Sequence, residues 1–212
     1  MRARRVARIA EVEAHERVVE SERADEPHVR MLRRLGDVGG RDYVEFMEIT
    51  IVEGDITAQD VDAVVNAANR AMRGGGGVAG AIHRAGGPAV LEDCRRRFPA
   101  GLATGDAGWT TAGLMPARWV IHVVGPNYNR GERDRTLLTS CYQRALAVAD
   151  ELGARTIAFP LVSAGSYGWP KSDAIDAALE VFRSAQTQVA EARMVAFDRA
   201  SYAAIEDALR RG

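Results

Sequence analysis

The chain is predicted to fold as an α/β domain, a sheet carrying helices on both faces. Three observations lead there. From Met47 onward, strand-like and helix-like patterns alternate along the chain. One run, Trp119-Val120-Ile121-His122-Val123-Val124, is continuously apolar apart from a histidine, as a strand covered on both faces should be. Two glycine-bearing loops follow apolar runs, at the strand ends where open α/β sheets collect ligands.

Composition bounds the function. With 212 residues, 47% hydrophobic, 27% charged and a net charge of −1, the chain can build one full core and has no electrostatic drive toward nucleic acid. No apolar run is long enough to span a bilayer, and no apolar signal core follows the N-terminal arginines, so a cytoplasmic protein that avoids membranes is expected. A monomer is the expected state. Cys94 and Cys141 fall on the apolar sides of helical patterns and read as buried thiols. No cluster of His, Cys, Asp and Glu has zinc-ligand spacing, so neither metal nor other cofactor is expected.

The chain divides near Met47. Residues 1–46 mix arginines with carboxylates, hold too few apolar positions for a continuous stripe and end in Gly36-Asp37-Val38-Gly39-Gly40. They read as a poorly ordered or loosely helical extension, leaving residues 47–212 as the autonomous domain and Met47 as a candidate translation start.

Each element then follows in order. Residues 47–53 alternate as a half-buried strand does, and Gly54-Asp55-Ile56-Thr57 turns the chain toward a strand over 61–66. After Asn66 and Asn69 come four glycines, 74–77, before a short helix over 78–85. Four residues without a Cβ cannot serve packing, so they mark backbone lying against a ligand. The helix behind them aims free N–H groups and its positive dipole end into the same space, which favours an anion such as phosphate. Gly86-Gly87 breaks that helix, and Pro88 suits the first turn of the next, which reaches Phe98. A strand over 106–111, the apolar strand 119–124, an amphipathic helix over 135–152 closed by Gly153 and a strand over 156–162 follow. The last runs into Ser163-Ala164-Gly165-Ser166-Tyr167-Gly168-Trp169-Pro170, the second loop. A helix over 172–188, a strand over 194–197 and a final helix capped by Asp198 complete the chain.

Two phosphate cradles point to a diphosphate. Gly75, Gly77 and Gly80 satisfy G-x-G-x-x-G, so a dinucleotide-binding Rossmann enzyme is one reading. Against it, residues 67–73 separate strand from glycines, and no acidic strand terminus lies at the required distance. A nucleoside-triphosphatase loop needs Lys and then Ser or Thr after its last glycine, where this chain has Ala81-Ile82.

The motifs Gly54-Asp55-Ile56-Thr57, Asn66-Ala67-Ala68-Asn69, the glycine run with Val78, Ile82-His83-Arg84-Ala85-Gly86-Gly87-Pro88, Ile121 to Pro126 and Ser163 to Pro170 resemble a macrodomain of the MacroD type. The resemblance covers nearly everything from Met47 on and implies a three-layer α/β/α fold with a central mixed sheet and a cleft for ADP-ribose. It further implies that Asp55 accepts from the adenine amino group beside the Ile56 backbone, and that Phe197 stacks on the ring. Backbone amides of Gly76, Gly77 and Val78, opposite those of Ser163, Ala164, Gly165, Ser166 and Tyr167, would hold the diphosphate. Asn69 would bond the distal ribose and Tyr167 would cover it, both as catalytic residues.

Plainer readings stand beside these. Asp55 could be only a turn cap and Phe197 only core. His122 reads as a satisfied core histidine, His83 as packing or capping, and Asn66 as a side chain tying neighbouring loops together. Hydrolytic members commonly carry an aspartate after the valine of the glycine loop; here it is Ala79. Two functions remain: hydrolysis of ADP-ribosyl esters, with O-acetyl-ADP-ribose or ADP-ribosylated protein as partner, or non-catalytic reading of ADP-ribose.

Overall fold

The computed structural model describes residues 17–20, 28–32 and 47–211. Within the N-terminal extension the described residues are extended rather than helical. They form β1 (Arg17–Glu20) and β2 (His28–Leu32), and the remainder of the extension lies outside the described residues. The other elements are β3 (Glu48–Glu53), β4 (Ala63–Ala68), α1 (Gly77–Gly86), α2 (Pro88–Arg97), β5 (Ala107–Thr111), β6 (Trp119–Val124), α3 (Arg135–Leu152), β7 (Thr156–Phe159), α4 (Lys171–Ser184), β8 (Glu191–Ala196) and α5 (Arg199–Arg210). Single 3-10 turns occupy Ile56–Ala58 and Tyr128–Arg130.

The strands join one mixed sheet in the order β1-β2-β3-β8-β7-β4-β6-β5. Its centre, from β3 to β6, is parallel, and antiparallel pairs close both edges. Alternation along the central strands supplies both helical layers. Val65, Ile121, Ile157 and Met194 face the layer of α3, α4 and α5, whereas Val64, Val120, Ala158 and Val195 face Ile82 of α1. The three-layer α/β/α architecture follows from that division.

Several boundaries differ from expectation, each for a local reason. The strand expected over 156–162 leaves the ladder at Phe159, because Pro160 has no N–H to give. β4 runs on to Ala68 and places Asn66 inside the sheet, fully buried. Asn66 therefore ties strands rather than loops: its Nδ2 donates to Nδ1 of His122, its register partner on β6, at 3.0 Å. The other ring nitrogen lies 2.8 Å from Thr110 Oγ1, whose hydroxyl donates to the Thr111 carbonyl at 3.0 Å, so the network assigns the proton to Nε2. Burial pushes the His122 pKa down to about 3, and the ring is a neutral core group. Cys94 and Cys141 are buried free thiols whose pKa values burial raises to about 11 and about 12, which keeps them protonated and unreactive.

Candidate functional site

The first loop leaves the carboxyl end of β4. Met72 N–H returns to the Asn69 carbonyl at 3.0 Å, and Asn69 Nδ2 donates to the Gly74 carbonyl, closing a tight ring ahead of the glycines. Gly74 and Gly75 have φ of 80° and 150°, and Gly76 is the N-cap of α1, whose Gly77 has φ of 56°. The first intrahelical bond runs from Gly80 N–H to the Gly76 carbonyl, so the amides of Gly77, Val78 and Ala79 point outward from the helix end. A Cβ on Gly80 would lie 2.5 Å from the Gly75 carbonyl oxygen; the loop folds back onto its helix because nothing occupies that space.

The second loop is held from three sides. Beneath it, Val162 N–H donates to the buried Tyr142 hydroxyl of α3 at 3.0 Å. Across it, Trp169 N–H reaches the Ser163 carbonyl at 3.0 Å and Gly168 N–H the Gly165 carbonyl at 3.0 Å. From outside, Asn129 spends its backbone N–H on the Tyr167 carbonyl and its side-chain amide on the Ser166 carbonyl. Ser163 sits at φ of 63°, a conformation this bracing maintains. Gly125 leaves room for it, since a Cβ there would stand 2.2 Å from Ser163 Oγ.

Between the loops lies a cleft of about 770 Å³, and every residue expected at the site lines it: Asp55 and Ile56, Asn69, Gly76 to Val78, Ser163 to Tyr167, and Phe197. Its two ends differ chemically. At the end formed by β3 and β8, Phe197 is 90% exposed, which removes the core reading of that residue. Asp55 does cap its 3-10 turn, with Oδ1 accepting from both the backbone and the hydroxyl of Thr57 at 2.8 Å. That cap leaves Oδ2 without a bond among the described residues, so the structural and ligand roles are compatible. At the opposite end, Asn69 Oδ1 is buried and has no partner among the described residues. An unpaired buried carbonyl is costly, and a hydroxyl donor would satisfy it.

Ala79 also lines the cleft, nearly buried in the first turn of α1. The carboxylates among the lining residues, Asp55 and Asp198, both stand at the Phe197 end. The sequence reading missed Arg84, Lys171 and Ser201, which enter the cleft through packing of α1, α4 and α5. One signal could have exposed Lys171: it is the chain's single lysine.

The family model described as "Macro domain" matches residues 65–178. A macro domain-containing protein of Streptomyces coelicolor is 54% identical over 160 residues, covering 74% of this chain and 95% of its own. A protein of Pantoea vagans named O-acetyl-ADP-ribose deacetylase 1 is 44% identical over 161 residues, covering 73% of this chain and 94% of its own. Among solved structures, a variant of the Oceanobacillus iheyensis macrodomain with ADPR superimposes with a TM-score of 0.73 at 34% identity, over 78% of this chain and 93% of that one.

Proposed function

The chain belongs to the macro domain family, and from that premise we propose that its cleft binds ADP-ribose and hydrolyses ADP-ribosyl esters slowly. The observation that carries the binding reading is the polarity of the cleft, with an exposed Phe197 face at one end and an unpartnered Asn69 carbonyl at the other. Adenine takes the Phe197 face, with its amino group on Asp55 beside the Ile56 backbone. Amides of the two loops share the diphosphate charge, as helix ends and peptide dipoles do without any cation. Asn69 Oδ1 accepts a hydrogen bond from a hydroxyl of the distal ribose, and half-buried Tyr167 covers that sugar.

Hydrolysis adds water across the ester, releasing a carboxylate and a ribose hydroxyl. With Ala79 in the first turn of α1 and both lining carboxylates at the adenine end, no protein base stands beside the distal ribose among the described lining residues. A phosphate oxygen of the substrate then takes the water's proton, and Asn69 holds the ribose in line. The same absence of a base favours the second reading, a non-catalytic reader of ADP-ribose.

Turnover of O-acetyl-ADP-ribose and of an aspartyl- or glutamyl-ADP-ribosylated protein separates the two. For an enzyme, Asn69→Ala lowers kcat/KM by about 10- to 100-fold through lost ribose hydrogen bonds. Ala79→Asp raises kcat by about 100-fold by supplying the base. No turnover by the parent, tight calorimetric binding of ADP-ribose and activity appearing only in Ala79→Asp would identify the reader.

A further inference from the structure

Lys171 is the one lysine in a chain whose other strongly basic side chains are all arginine, and it lies in the cleft wall. It opens α4, directly after the second loop, and its Nζ donates to Ser201 Oγ of α5 at 2.9 Å. Sheet order locates the pair along the cleft. The Phe197 end rests on β3 and β8, and the two loops rise from β7 and β4. α4 follows the loop after β7, and α5 follows β8. Lys171 and Ser201 therefore stand where the β8 side gives way to the β7 side, between the base end and the diphosphate loops.

On the binding reading above, on which this inference rests, that position faces the ribose of the adenosine half. A ribose diol is neutral and needs no cation, and the diphosphate already has the amides of two loops. An ammonium has three N–H donors, and Ser201 takes one. The neighbouring Asp198 carboxylate is committed to the α5 cap, its Oδ1 accepting from Ser201 N–H at 2.7 Å. Its negative charge opposes an anion here, which limits the affinity the lysine can add.

We propose that Lys171 and Ser201 form a phosphate subsite beside the adenosine ribose, so that the cleft takes ligands phosphorylated on that sugar, at the 2′ or 3′ oxygen, in preference to the unphosphorylated nucleotide. The ammonium and the Ser201 hydroxyl both donate to the added phosphate, replacing the bond between them. Because Lys171 is solvent-exposed, the preference weakens as salt screens it.

Calorimetry with 5′-AMP, 2′,5′-ADP, 3′,5′-ADP and ADP-ribose at low and high salt tests this. One of the two bisphosphates is expected to bind about 3- to 10-fold tighter than 5′-AMP, the range for a charge-assisted contact that remains partly solvated. The arm that shows the gain identifies the oxygen. In Lys171→Met the ratio falls to about 1, in Lys171→Arg it returns, and in Asp198→Asn, which keeps a capping side chain, it rises. Thermal unfolding of each variant establishes that it folds. Binding of ADP-ribose with no gain from either bisphosphate, or a gain that survives Lys171→Met, overturns the subsite while leaving the proposed function intact. Failure of ADP-ribose itself to bind the parent overturns both.

Discussion

His122 shows how a polar residue sits at the bottom of a core without acting as a catalyst. Its ring is shared between Asn66 on one strand and Thr110 on the other, and it stays neutral because no room exists for a hydrated imidazolium. The folded pKa is depressed while the unfolded chain protonates near the ordinary histidine value, so between those values the unfolded state binds more protons. Stability is then full above about pH 6.5 and is lost as pH falls toward 3, with the half-buried His83 shifted in the same direction by its own burial. Urea unfolding should show a loss of about 2 kcal/mol between pH 7 and pH 5 from His122 alone, and His122→Gln should flatten that slope. The sequence identified His122 as core from its apolar neighbours. It did not identify Asn66 as the partner, because the strand was expected to end at that residue with its side chain turned to the neighbouring loops, and only pairing with β6 makes an asparagine tolerable there.

The loops were legible because their chemistry is local. Consecutive glycines and the asparagine before them each answer a backbone constraint that exists within a few residues of sequence. What supports the second loop was not legible, since Tyr142 comes from the middle of α3 and meets Val162 only through packing. That hydroxyl is the loop's buttress, and burial raises its pKa far above any working pH, so it is always available as an acceptor through its oxygen. Tyr142→Phe removes the oxygen and leaves Val162 N–H buried without a partner, at a cost of about 1–3 kcal/mol. Thermal unfolding should register that loss. Calorimetry should show weaker ADP-ribose binding as well, because the amides of Ser163 to Tyr167 begin at the next residue.

At the scale of the whole molecule, the parallel core and both helical layers could be read from alternation. The additional edge could not, because short, charge-rich edge strands and unstructured tails have the same composition. β2 lies antiparallel on β3 through His28↔Thr50 and Val29↔Ile49, covering what would otherwise be an open strand. The cleft stands at the carboxyl ends of β3, β8, β7 and β4, whereas β2 pairs with β3 at Thr50 and Ile49, toward the opposite end of that strand. Deletion of residues 1–46 should thus keep ADP-ribose affinity within about twofold, as expected for a distant change. It should also make the shortened chain self-associate as concentration rises, which light scattering would detect. A sharp loss of affinity would mean that the division at Met47 cuts through the functional unit. The lone lysine also has a practical consequence. Amine-directed reagents that spare the N-terminus can reach only the lysine in the cleft wall, so coupling the protein to a surface or dye through that side chain would obstruct ligand entry. The extent of such labelling, with and without ligand, would in turn report how full the cleft is.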